Sequence, residues 1–381
     1  MSNKNTNKLI FFSIITLLGA NIWAQKRMPV IKANSTSVNV LDGKDLKKDA
    51  WNISPEIKLD VYLTPNKNKK VTFYTDIDSI SFFVQPNKEY NFKIILNKKD
   101  TAFTQIKYEA SYLDILKSAN KYNLLDARPV PAFIYQNADN TNLTELRKGF
   151  KLDSIAGGGS EVSKILNLLH WIHNLIPHDG SHENPIIKNA MSMVSVCKKD
   201  NRGLNCRGLA TVLNECYLSL GIKSRFITCM PKDSMFNDCH VINMVYSKDL
   251  KKWLWIDPTN DAYVMNEKGE LLSIQEVRER LITNKPLLLN PDANWNHKAT
   301  TIKEEYLYHY MAKNLYRMEC PVNSEYNAET QTDVKKISYI ELLPLDAYSQ
   351  TPNKSEQTSL KTGTIFTRYK TNNPSLFWTT P

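Results

Sequence analysis

The chain has 381 residues, six cysteines and a formal charge of +10 at pH 7. Its lysines are scattered through polar turns such as Asn66-Lys67-Asn68-Lys69-Lys70 and Asn97-Lys98-Lys99-Asp100. The excess is therefore a set of solvated loops rather than a focused basic stripe, and no nucleic-acid partner is expected. Nothing after Gln25 is apolar enough to span a bilayer.

Lys4 and Lys8 precede the apolar run Leu9 to Ala20, and Ala24 closes the segment before Gln25. A basic start, a short apolar run and a small residue at the end make a secretory signal peptide over residues 1–24. The run is shorter than the roughly 20 residues a spanning helix needs, and no cysteine stands at the cleavage point to take a lipid. The mature chain is expected to be exported, periplasmic or secreted. It would touch a membrane only through an uncleaved signal segment. Without Lys4 and Lys8 the charge falls to about +8, still basic.

From Thr36 to Ile106, β-rich runs alternate with turns. The predicted strands are Ser37 to Leu41, Leu59 to Leu63, Lys70 to Tyr74, Ser79 to Val84 and Glu89 to Leu96, with Asp42-Gly43, Pro65-Asn66 and Pro86-Asn87 turning between them. This predicts a small antiparallel β module over 25–110. It holds no reactive constellation, which suits docking or substrate presentation. Tyr108 to Leu125 reads as a helical joint. Gly157-Gly158-Gly159 turns into a long helix, Val162 to Ile176, and is no phosphate loop because the Lys and Ser/Thr of that motif do not follow.

His170, His173, His178 and His182 then fall close together. Zinc favours imidazole, but Pro177 and Gly180 break the helix between the pairs and the Glu-x-x-His register of metalloproteases is missing, so no metal or other cofactor is expected. Downstream, Asn205 suits a helix N-cap, which puts Cys206 at the first helical position. Leu209, Val212, Leu213, Cys216 and Leu220 recur at helical spacing, and Gly221 supplies the stop. The helix start favours an anion, so Cys206 should ionise more easily than a free thiol, whereas Cys216 lies on the apolar stripe and reads as core.

Lys223 to Cys229, His240 to Tyr246 and Lys251 to Ile256 read as strands. With Ser247 to Leu250 as the hairpin turn, His240 lies directly opposite Asp257, with Cβ atoms about 5 Å apart. A thiol opening a helix, a His opening one strand and an Asp ending the next are a nucleophile, a base and an orienting carboxylate in chain order. Across the loop Met230 to Asp238, Cys229 would face Cys239, making theirs the first disulfide to test. Ser273 and Glu276 form a capping box for a helix to about Thr283, and the tail carries one convincing strand, Lys336 to Leu343.

Gly203-x-Asn205-Cys206-Arg207-Gly208-Leu209-Ala210, Leu220 to Arg225, His240 and Trp255-x-Asp257-Pro258-Thr259 resemble the core of the transglutaminase-like superfamily. The resemblance runs from Leu125 to Pro321. It implies an α+β, papain-like core with a helix-borne Cys packed on an antiparallel sheet, and the roles of nucleophile, base and orienting acid for Cys206, His240 and Asp257. It also implies that His178-Asp179-Gly180 lines the cleft. Many members have Trp two residues after the His, where this chain has Ile242, so the substrate class is not inherited. No calcium-loop pattern and no room for the extra barrels of animal tissue transglutaminases are apparent, which favours a hydrolytic or bacterial-type relative.

The predicted organisation is thus a signal peptide over 1–24, a β module over 25–110, a transglutaminase-like domain over 125–321 and a C-terminal β extension over 330–381. The expected partner is a peptide or protein substrate, cell-envelope material included; the oligomeric state is left open. Water is the expected acyl acceptor, because Ile242 and the polar loop Pro231 to Asp238 make a wet rim. Trp253 and Trp255, on the face of Asp257, would instead wall an amine channel. The backbone N–H of Cys206 is the first oxyanion donor and Asn201 the candidate for the second. Two other readings stand beside this one: an idle papain-like binding domain, if the three side chains do not converge, and a zinc-dependent hydrolase on the His170 to His182 cluster.

Overall fold

The computed structural model describes residues 28–119, 121–233 and 238–381, so the signal segment over 1–24 lies outside the described residues. Contacts divide the chain into two units, one ending at Ala110 and the other starting at Ser111.

The first unit is built from period-two strands whose inward residues, among them Val38, Val40, Val71, Phe73, Phe92 and Ile94, are fully buried. Asp45–Asn52, Ser37–Asp42, Lys69–Tyr74 and Ser79–Val84 form an antiparallel sheet in that spatial order. In the second sheet the order is Val30–Ala33, Glu89–Leu96, Asp100–Tyr108 and Asp60–Thr64, and both edge pairings are parallel. The module is therefore mixed rather than purely antiparallel. The strand Asp45–Asn52 escapes a sequence reading because it is exposed almost throughout and shows no apolar alternation.

In the second unit seven strands form one sheet. The spatial order is Lys252–Ile256, His240–Ser247, Ser224–Met230, Arg317–Pro321, Lys336–Leu342, Ile365–Thr371 and Lys354–Thr358. Segment 330–381 thus continues the central sheet, and its final helix Pro374–Phe377 buries Phe377 completely. The expected joint shortens to the helix Tyr112–Ser118.

The central strands are buried on both faces. On one face Val245, Leu254 and Ile256 pack with Leu209, Leu213 and Cys216 of the helix Cys206–Ser219 and with Leu168 of the helix Glu161–Leu175. On the other, Ile242, Met244, Trp253 and Trp255 pack with Leu307 and Met311 of a π-helix, Glu304–Met311. A fully buried Leu of this kind contributes about 1.5–3 kcal/mol, so the helix that begins at Cys206 is held rigidly by its own stripe. This is the α+β, papain-like core: a helix carrying the thiol on a sheet carrying His and Asp.

The hairpin register differs from the predicted one. Strand pairing runs Ser247 to Lys252 and Asn243 to Ile256, because Lys251 takes the left-handed conformation and the turn covers Lys248 to Lys251. Ser247 Oγ accepts from the Leu250 N–H, and Glu161 Oε2 accepts from the N–H groups of Lys248 and Asp249, which pins that turn. Asp257 is accordingly a diagonal neighbour of His240 rather than its direct opposite. The slip is by two, so the shared face survives. In the preceding hairpin the slip is by one: Cys229 pairs with His240, not Cys239. The suggested Cys229–Cys239 disulfide is absent, and all six cysteines are free among the described residues.

Candidate active site

Asn205 caps the nucleophile helix by accepting the Gly208 N–H at 3.2 Å, as its residue type predicts. Asn184 grips the cap: its Oδ1 accepts the Asn205 N–H at 3.1 Å and its Nδ2 donates to Asn205 Oδ1 at 2.7 Å. Gly208 permits this approach, since a Cβ there would lie 2.6 Å from Asn184 Oδ1. Cys206, partly exposed, opens the helix into a cleft of about 680 Å³.

His240 and Asp257 are both buried, at 2% and 0% exposure, and His240 Nε2 donates to Asp257 Oδ2 at 2.7 Å. Nδ1 is left for the thiol. Asp257 is held from every side: Oδ1 accepts the Thr259 N–H at 2.9 Å, and Oδ2 also accepts Asn260 Nδ2 at 3.0 Å and Tyr306 Oη at 2.5 Å. Trp255 Nε1 donates in turn to Tyr306 Oη at 3.3 Å. Burial would raise the Asp257 carboxyl; the His240 charge and these hydrogen bonds outweigh it and hold the group below its ordinary range.

Opposed effects also set the other two groups. Burial disfavours the Cys206 thiolate, but hydrogen bonds from His178 and His240, the His240 charge and the Val241 N–H bring its pKa down to about 6. Burial likewise disfavours a charged His240, yet the Asp257 charge and hydrogen bond, with Cys206, raise it to about 10. Both shifts run in the direction that favours a thiolate–imidazolium pair, and two groups so closely coupled titrate as a unit. Cys216 is fully buried and pushed well above the ordinary thiol range by that burial.

The three predicted residues therefore come together, so the condition attached to an idle domain is not met. The other predictions fare differently. Asn201 is exposed and closes the helix Ala190–Asp200 in the left-handed conformation, away from the cleft. Trp253 and Trp255 share the face of Asp257 but lie in the core, 5% and 1% exposed, and wall no channel. Aromatic lining comes instead from Trp295, Tyr306 and Tyr310, the last with its ring 5.4 Å from the His240 ring. The polar loop before His240 is described only outside 234–237.

The four clustered histidines bind separate partners. His170 meets Asp261, His173 meets the Pro258 carbonyl and Asn294, His178 meets Trp295, and His182 meets Asp179. Among the described residues no group of three or more His, Cys, Asp or Glu side chains is placed to hold a metal ion.

Sequence reasoning missed Asn184, Asn260, Tyr306, Tyr310 and Trp295. Asn260 alone carried a local signal, standing three residues after Asp257. Tyr306 and Tyr310 lie roughly one turn apart on the π-helix, an element that recurs at functional sites and leaves no periodicity to read in sequence.

The family model described as the Transglutaminase-like superfamily matches residues 149–258. No curated protein matches the chain. Among solved structures, a candidate cysteine protease from Cytophaga hutchinsonii is similar over 36% of this chain and 43% of its own, at 18% identity and a TM-score of 0.25. A candidate protease from Parabacteroides distasonis is similar over 31% and 26%, at 18% identity and a TM-score of 0.20. Red sea bream transglutaminase is similar over 61% and 49%, at 12% identity and a TM-score of 0.20. The chain spans less than half the length of each of the three. The matched stretch is the one that brings the helix-borne Cys206 to His240 and Asp257, and residues 149–258 are a domain of the transglutaminase-like superfamily.

Proposed function

We propose that the mature chain is an exported thiol enzyme that cleaves or transfers a peptide or protein amide through a thioester on Cys206, with water as the usual acceptor. The observation that carries this reading is that Cys206 and His240 line one cleft, with His240 hydrogen-bonded to a buried Asp257 that Thr259, Asn260 and Tyr306 also hold. Cys206 Sγ attacks the carbonyl carbon, a C–S bond forms and the carbonyl electron pair moves onto oxygen. Collapse of that oxyanion breaks the C–N bond, and the His240 Nδ1 proton leaves with the amine. Water, deprotonated by the now neutral His240, then attacks the thioester and releases the acid and Cys206.

Polar groups at the rim, including Glu183, Asn184 and Asp238, support water as acceptor. Trp295 and Tyr310 on the same cleft favour the second reading, transfer to an amine. The deciding experiment gives an acyl-donor peptide a fluorescent primary amine at millimolar concentration and compares free acid with amide. Free acid should predominate. Mainly amide product across several donors would overturn water as acceptor and leave the three residues in their roles.

Export rests on Lys4, Lys8 and the run Leu9 to Ala20. Among the described residues no helix is long and apolar enough to cross a membrane. N-terminal sequencing of exported protein should begin at Gln25, and retained Lys4 and Lys8 would indicate an uncleaved anchor.

A further inference from the structure

Two imidazoles reach the same sulfur, and their other hydrogen bonds give them opposite characters. His240 gives its Nε2 proton to a carboxylate, which makes it a strong base at Nδ1. His178 is partnered by Trp295, whose indole N–H can only donate, and it does so to His178 Nδ1 at 3.2 Å. A nitrogen accepting that bond carries no proton, so the ring proton of His178 sits on Nε2. His178 thus offers an N–H into the cleft it lines with Cys206. We propose that His178 is the second oxyanion donor of this site, with Trp295 locking the tautomer that donates; the assignment rests on the acyl-transfer reading above.

The backbone around His178 is built for a fixed position beside the nucleophile. Residues 177–179 pair with Leu204, two positions before Cys206: the Asp179 N–H donates to the Leu204 carbonyl at 2.7 Å and the Leu204 N–H to the Pro177 carbonyl at 3.2 Å. Gly203 makes that contact possible, since a Cβ there would run into the Pro177 carbonyl oxygen. Asn296, next to Trp295, clamps His178 from the other side. Its Oδ1 accepts the His178 N–H at 2.7 Å and its Nδ2 donates to the His178 carbonyl at 2.8 Å. One short segment therefore sets both the place of the ring and its tautomer.

Neighbouring amide side chains already hold other partners: Asn184 accepts from the Asn205 N–H and gives one N–H to Asn205 Oδ1, Asn205 uses that oxygen to cap Gly208, and Asn260 gives one N–H to Asp257. The Cys206 N–H, unpaired within its own helix as a first-turn donor, supplies the first oxyanion bond. His178 Nε2–H supplies the second. In the free enzyme that donor rests on the thiolate, where it already acts as a hydrogen-bond partner. When the carbonyl is attacked, the negative charge passes from sulfur to oxygen and the donor follows it.

The test separates attack on a carbonyl from attack on a saturated carbon, because only the first forms an oxyanion. Full-length protein is treated with p-nitrophenyl acetate, reading the nitrophenolate burst and the acetyl mass on Cys206, and separately with iodoacetamide at pH 8. His178→Ala should acylate roughly 100-fold more slowly while alkylating at nearly the wild-type rate. His178→Gln, which retains an N–H donor, should recover much of the acylation rate. Trp295 is exposed, so Trp295→Phe tests the lock with little risk to folding; it should slow acylation and leave alkylation unchanged. Equal losses in acylation and alkylation would mean that His178 only ionises the thiol and would overturn the assignment, as would unchanged acylation in His178→Ala and Trp295→Phe. A wild-type protein that does not acylate at Cys206 at all would overturn the acyl-transfer reading and this assignment with it.

Discussion

Asp257→Asn should lower the rate of Cys206 acylation by about 10⁴-fold. Its carboxylate accepts four hydrogen bonds, three of them at Oδ2 from His240, Asn260 and Tyr306, and a carboxamide has only one oxygen to offer. With the amide oxygen toward His240, the new NH₂ opposes the Thr259 N–H. Turned the other way, the NH₂ faces His240 Nε2 and drives the imidazole proton to Nδ1, where it blocks the base that Cys206 needs. Either orientation also removes the charge that raises His240. Removing one partner of a buried ion pair costs about 3–5 kcal/mol, so the melting temperature should fall as well. Burst acylation by p-nitrophenyl acetate measures the first effect and thermal melting of the same sample the second. Near-wild-type acylation would remove Asp257 from the mechanism.

Selective alkylation of Cys206 in mild acid is the second large effect. With the thiol brought down to about 6, half of it is ionised at pH 6, against about one part in a thousand for an ordinary thiol. A weaker base is also a weaker nucleophile, and over three pKa units that returns about 20- to 30-fold of the gain. The net preference over an exposed ordinary cysteine is then about 20-fold. Against Cys216, Cys229 and Cys320, which are buried and pushed up by that burial, it should be far larger. The sign over pH follows from the two shifts. Below about 6 the lowered Cys206 regains its proton and reactivity falls; above about 10 the raised His240 loses its own, and the acid that protonates the leaving amine disappears. Acylation by an amide donor should therefore trace a broad bell, whereas alkylation, which needs only the thiolate, should show the acid limb alone. Peptide mapping after a brief iodoacetamide pulse at pH 6 checks this, and equal labelling of all six cysteines would refute an activated Cys206.

The nucleophile helix was legible because everything that makes it is local. Asn205 caps, Leu209, Val212, Leu213 and Cys216 form the stripe, Gly221 stops the chain, and each acts within a turn or two of its own position. The strands carrying His240 and Asp257 were legible for the same reason, and so was the shared face of the two side chains, since a register slip of two leaves parity unchanged. Pairing across Met230 to Asp238 was not: a slip of one puts His240, not Cys239, opposite Cys229, and loop length alone does not set that register. Residues farther apart lie wholly beyond local pattern. Tyr306 reaches Asp257 across 49 positions, Trp295 reaches His178 across 117, and the tail strand Ile365–Thr371 joins Lys336–Leu342 in parallel inside the central sheet. Sequence by itself determined the thiol at a helix start and the His and Asp on one face, because caps, stripes and alternation are properties of a few consecutive residues. Only the tertiary structure decided which side chains hold Asp257 charged and which proton His178 presents, because those hydrogen bonds exist only once distant segments are packed together.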